Sequence, residues 1–136
     1  MAVLAKGRTA AGEHWSLTSE PSPLGRHLGV EVTSADGHPY WGTGCILGGG
    51  PQQDPVHLTT GSDDDGPSTL TLAVRADVRA VVVLLSDGTR EDLRLHPVPD
   101  RTDIRAAALV YPRRLDVHRI DLYDARGTRL PDTLLP

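Results

Sequence analysis

The chain has 136 residues, a formal net charge of −4, and 38% hydrophobic against 24% charged residues. That length suits one domain able to bury a sound core. The acidic balance argues against nucleic acid and anionic membrane as partners. Phe is absent and Cys45 is the sole cysteine. The core must therefore be built from Leu, Val, Ile and Ala with a few aromatic anchors, and no internal disulfide can form. Lys6 and Arg8 interrupt the start before any apolar h-region develops, and no run reaches the roughly 18 apolar residues of a membrane helix. The expected compartment is the cytoplasm.

In chain order, residues 1–12 are small and polar enough to read as a flexible N-terminal arm, and residues 13–136 as the folded domain. His14 to Ser19 puts Trp15 and Leu17 on one face of a strand, which the Pro21-Ser22-Pro23 segment ends. Leu28, Val30 and Val32 alternate with Glu31 and Thr33 in the next strand. Ala35 to Pro39 is a turn leading to a short strand around Trp41 to Leu47. Gly48-Gly49-Gly50-Pro51 and the residues to Pro55 form a flexible connector. Val56 to Thr60 reads as a short strand, Ser62 to Ser68 as a solvated acidic loop, and Thr69 to Arg75 as a strand with Leu70, Leu72 and Val74 inward.

The densest signal is the Ala80 to His96 segment, which reads as a β-hairpin about Asp87-Gly88. Val81 to Leu85 is apolar on both faces, whereas Leu93 and Leu95 alternate with Asp92, Arg94 and His96. A two-residue turn pairs Val82 with Leu93 and leaves Val81, Val83 and Leu85 opposite Arg94, Asp92 and Arg90. A three-residue loop with a bulge exchanges the two faces. Either register leaves one apolar row that this chain or another molecule must cover.

Residues 96–103 read as an exposed connection. Ile104 to Tyr111 holds three alanines but stops at Pro112, and its neighbours favour a strand over a short helix. Asp116 to Asp124 is the last clear strand, and its change of apolar parity predicts a bulge near His118-Arg119. Three turns share an Asp…Gly form, at Asp36-Gly37, Asp87-Gly88 and Asp124 to Gly127. Short strands with turn signals and no convincing helix predict a single-domain antiparallel all-β sandwich, Ig-like in general shape, with a β-barrel as the alternative.

Two blocks of the chain resemble small β-sandwich domains of uncharacterised actinobacterial proteins. The first joins Trp15-Ser16-Leu17, Leu28 to Val32 and Gly42-Thr43-Gly44-Cys45. The second joins Val78 to Val83, the Asp87-Gly88 turn, Leu109 to Pro112 and Ile120 to Gly127. The resemblance implies the fold and no activity. In many exported relatives the first block carries two cysteines able to pair. Here Cys45 stands where the second would be and Gly29 where the first is expected, as in a cytosolic version.

The sequence offers no catalytic residue, cofactor site or metal centre by motif. Gly42 to Gly48 lacks the helix that a dinucleotide loop must open. Aligning Asp63, Asp65 and Gly66 to a calcium loop puts Leu72 where a bidentate Glu belongs. The six histidines show no zinc spacing, and Cys45 between Gly44 and Ile46 reads as a small buried hydrophobe. Arg113-Arg114 with Arg119 is a small basic cluster.

The expectation is a non-enzymatic β-sandwich module that binds another protein or self-assembles. Its interface is assigned to the Tyr40-Trp41 loop and to the surplus row Val81, Val83 and Leu85. One alternative is a small enzyme or ligand-binding protein with a pocket gathering His38, His57, Asp64 and Cys45. The other is a module stabilised by calcium at the Asp63 to Asp65 loop.

Overall fold

The computed structural model describes residues 1–39, 42–52, 54–62, 67–114 and 116–130. Among them are eleven strands: β1 (Ala2–Arg8), β2 (His14–Ser22), β3 (Gly25–Thr33), β4 (Thr43–Gly48), β5 (Val56–Ser62), β6 (Ser68–Arg75), β7 (Ala80–Leu85), β8 (Arg90–Leu93), β9 (His96–Val98), β10 (Arg101–Tyr111) and β11 (Val117–Tyr123). They form three antiparallel sheets ordered β1-β2-β3-β4, β5-β6-β10-β9 and β11-β7-β8, none closed into a barrel. The chain is all-β among the described residues, as expected.

The sheets stack as layers, with the second in the middle. Leu17, Leu28, Val30, Val32 and Leu47 of the first sheet pack on Ala73, Val98, Ile104 and Ala106 of the middle one. The opposite face of the middle sheet, carrying Leu70, Leu72, Val74 and Ala107, packs on Val81, Val83, Ile120 and Leu122 of the third. Burying both faces makes β6 inaccessible from Ser68 to Val74. Thr69 and Thr71, which alternate like a wet face, lie between layers, and Thr43 Oγ1 sits 2.7 Å and 3.4 Å from their hydroxyls. A hydroxyl bonded to another hydroxyl loses little on leaving water. The small Ala106 and Ala107 of β10, fully buried on opposite faces, let the layers approach.

Four hairpin turns share one geometry: Thr9 to Glu13, Ser34 to His38, Leu85 to Thr89 and Asp124 to Thr128. In each, the first residue donates its N–H to the carbonyl of the fifth and accepts from the N–H of the fourth. That fourth residue is Gly12, Gly37, Gly88 or Gly127, with φ of 89°, 94°, 90° and 76°. This is the three-residue loop with a left-handed glycine, in place of a two-residue turn. At the central hairpin it sets Val81 opposite Leu93 and Val83 opposite Glu91. Val81, Val83 and Leu85 therefore face the middle sheet, and Val82 and Leu84 face outward.

Three further expectations are corrected or sharpened. Residues 2–8 are not a flexible arm, because β1 pairs with β2 along its length, with one register shift between Val3 and Ala5. Residues 96–103 are not an exposed connection. They form β9, a tight turn at Asp100 with φ 62°, and the start of β10. The strand reading of Ile104 to Tyr111 holds, and β11 shifts register between Val117 and Arg119, where the parity change placed a bulge.

Candidate functional site at an open sheet edge

β10 is eleven residues long and pairs with β6 from Ile104 to Tyr111. On its other side it pairs with β9 only at Arg101, Arg105 and Ala106. The chain has just crossed from β8 in the third sheet, through Arg94 and Leu95, so β9 begins at His96 and leaves the rest of β10 uncovered. Among the described residues no strand pairs with this edge between Ala107 and Tyr111.

The ladder defines which backbone groups are exposed there. Ala76 donates its N–H to the Asp103 carbonyl, so Asp103 belongs to a hydrogen-bonded pair with β6. The two-residue alternation of an antiparallel ladder then directs Arg105, Ala107, Leu109 and Tyr111 to β6. It turns the N–H and C=O of Ala106, Ala108 and Val110 the other way. Ala106 meets His96 of β9. Ala108 meets a groove, and among the described residues Val110 beyond it has no strand partner on this side.

That groove has a volume of about 490 Å³. Its floor is Ala108 and Leu109, and its walls are Leu4, Ala5 and Trp15 of the first sheet and Glu91 to Arg94 of β8. Trp15 is held in its wall by Gly7, its partner across β1 and β2. A Cβ at Gly7 would lie 2.4 Å from the indole ring, so only glycine allows the ring to lie over this backbone. A second recess, lined by Arg79, Leu93, Leu95 and Arg105, continues from the groove around β8.

Charge on the rim is uneven in its availability. Glu91 accepts a hydrogen bond from the Tyr111 hydroxyl, which ties β8 to β10. Burial, then that bond, pushes the Tyr111 pKa up to about 12. Asp92 pairs with Arg90 at 3.4 Å. Among the described residues, Lys6 and Arg94 have no carboxylate within 4.0 Å. Burial, and then the Arg94 charge beside it, hold the His96 imidazole below its ordinary pKa. Glu91 keeps its negative charge beside the neutral Tyr111 hydroxyl, so Lys6, Arg90 and Arg94 against Glu91 and Asp92 leave the rim with one positive charge in excess.

The residues assigned from the sequence lie elsewhere. Val81, Val83 and Leu85 are 1%, 0% and 6% exposed inside the core. They are no interface, because the three-residue loop turned that row onto the middle sheet. Tyr40 and Trp41 lie outside the described residues, as do Asp63, Asp64 and Asp65. The outward row of the third sheet sets Val82 between Asp121 and Asp92, and it is covered: Val82 is 5% exposed. Asp121 is itself buried and ion-paired with Arg119 at 3.0 Å and Arg129 at 3.1 Å.

The residues assigned to a pocket sit on separate elements, His38 in the turn before β4, Cys45 on β4 and His57 on β5, while Asp64 lies outside the described residues. His38 is an exposed turn residue 3.8 Å from Asp36, and His57 is exposed on β5. Cys45 is half-buried, and burial, only partly offset by the nearby Thr59, pushes its thiol pKa up, away from a reactive thiolate. No three His, Cys, Asp or Glu side chains gather in a metal-holding group among the described residues. The basic cluster is neutralised, with Arg113 paired to Asp87, Arg114 to Asp116 and Arg119 to Asp121. Gly42 to Gly48 runs into β4. A Cβ at Gly42 would lie 2.0 Å from the Val30 carbonyl oxygen, so close strand packing explains that glycine.

No protein-family model, curated protein or solved structure matches the chain. The open edge was missed in the sequence because nothing in residues 107–110 distinguishes a paired from an unpaired edge. One signal existed. Pro97 cannot donate to a ladder, which marks its strand as a short edge.

Proposed function

We propose that the protein is a binding module that engages another protein through the open edge of its middle sheet. The observation that carries this reading is the outer edge of β10 over Ala107–Tyr111, which no strand among the described residues pairs and which borders a groove between two covering layers. An uncovered edge offers backbone donors and acceptors to an incoming strand, and native proteins usually blunt such edges. This one is flanked by Leu4 and Trp15 on one side and Leu93 on the other, which favours an extended single chain. An Ig-like general shape, a cytoplasmic location and kinship with actinobacterial β-sandwich domains belong to the same proposal. They are supported by the layered strands, the single unpaired cysteine and the two sequence blocks. No helix among the described residues is long and apolar enough to cross a membrane.

Amide hydrogen exchange by NMR on the isolated protein tests the edge. The amides of Ala107 and Leu109, bonded to β6, exchange slowly, and those of Ala108 and Val110 exchange at least about tenfold faster. Equal protection of all four residues refutes an open edge.

A further inference from the structure

We infer that the occupant of this groove is an extended segment of a different protein, apolar on both faces over about five residues and flanked by acidic residues. It joins the middle sheet as a new strand beside β10. The inference rests on the open-edge reading above and adds the chemistry of the partner.

Three observations define that chemistry. A strand laid along Ala107–Tyr111 lies in the plane of the middle sheet, so its side chains point alternately to the first and third layers. The layers present Leu4 and Trp15 on one side and Leu93 on the other, all partly buried, so apolar side chains on either face of the guest find an apolar neighbour. At the rim, Asp92 is paired with Arg90 and Glu91 accepts from the neutral Tyr111 hydroxyl, whereas among the described residues Lys6 and Arg94 have no carboxylate partner, which leaves one positive charge in excess. A guest with Asp or Glu beside its apolar stretch supplies the missing counter-charges, and a basic one does not. A second copy of this chain docking β10 to β10 is disfavoured by geometry. Both edges would be recessed between their own covering layers, and two recessed edges cannot come within the 4.7–4.9 Å strand spacing.

The test uses the whole protein and a synthetic peptide, Asp-Asp-Val-Ile-Val-Thr-Val-Asp-Asp, with a control carrying Lys at its four Asp positions. Amide exchange is followed residue by residue by NMR. The acidic peptide slows exchange at Ala108 and Val110 at least about tenfold and leaves Ala107 and Leu109 unchanged. The Lys peptide binds more weakly. Lys6→Glu with Arg94→Glu, both on exposed side chains, lowers affinity for the acidic peptide by about three- to tenfold and narrows the preference.

Fast exchange at Ala108 and Val110 that neither peptide changes overturns the strand-addition inference and leaves the open edge itself standing. Equal binding of the two peptides overturns the acidic assignment. Protection in concentrated protein that vanishes on dilution makes a second copy the occupant, and overturns the inference of a different partner.

Discussion

Asp103 gives the most quantitative prediction, because its carboxylate joins two sheets. Arg101 grips it with Nε at 2.8 Å and Nη2 at 3.0 Å, and the Gln52 backbone N–H donates to it at 2.9 Å. The same Arg101 donates to the Gly48 and Gly50 carbonyls. The glycine-rich connector between the first and middle sheets, flexible by composition, is thus pinned by one ion pair.

The Arg101 hydrogen bonds, helped by the Gln52 N–H, hold the Asp103 carboxyl at about 2, below the ordinary 3.8. A difference near two units corresponds to about 2.5 kcal/mol at neutral pH. With the side chain 31% exposed, solvent screening reduces this to about 1–2 kcal/mol. The folded-state pKa is depressed, so this stability is fully present above the unfolded value near 4. It is lost as pH falls toward 2. Asp103→Asn should therefore lower stability by about 1–2 kcal/mol at pH 7, a fall in Tm of roughly 3–8 °C for a chain of this size. Urea denaturation of both proteins at pH 7 and at pH 2.5 measures it. The gap should shrink by more than half at the lower pH. A gap that stays constant with pH means that shape, and not charge, carries the connection.

Two further predictions probe the layers and the turns. Thr43→Val or Thr69→Val alone leaves its partner hydroxyl without its 2.7 Å contact and should cost about 1–2 kcal/mol by chemical denaturation. The double variant should be less harmful than the sum, and strict additivity would show that the two hydroxyls are not coupled. Gly25 has φ 143°, and a Cβ there would lie 1.8 Å from the Leu47 carbonyl oxygen, whereas Gly88 has φ 90° and open space around it. Gly25→Ala should thus cost about 3 kcal/mol or more and Gly88→Ala about 1, and equal melting temperatures would contradict the difference in crowding.

The strands were legible wherever alternation was clean. Leu28, Val30 and Val32, and likewise Leu70, Leu72 and Val74, point inward as their spacing requires. The bulge in β11 was legible too, since a parity change has few other physical causes. What escaped was the layering. Thr69 and Thr71 look like a solvated face, and only a threonine on another sheet reveals that the face is buried. The register of the central hairpin depended on a turn type that Asp87-Gly88 alone does not decide. Both turn geometries accept a left-handed glycine at that place. That single ambiguity determined whether Val81, Val83 and Leu85 were core or interface. The Thr9 to Glu13 turn, which lacks an Asp, hid β1 inside an apparently frayed terminus.

The same topology explains why an edge is left open at all. The Arg94-Leu95 corner moves the chain from the third sheet to the middle one after β8 has passed the end of β10. β9 can then cover only the near part of β10, and its Pro97 shortens the ladder further. The covering layers do not stop with it, since β1, Trp15 and β8 extend past the missing strand and wall the gap. Walls on both sides of an edge hinder the sideways approach of a flat foreign strand, one of the ways proteins limit edge-to-edge aggregation. Among the described residues no strand takes up the hydrogen-bonding capacity of Ala108 on this side. Lengthening β9 would pair the edge and close the groove. A variant with two β-branched residues inserted between Leu95 and His96 should therefore slow amide exchange at Ala108 and bind no strand, and unchanged exchange there would disprove that the corner sets the opening.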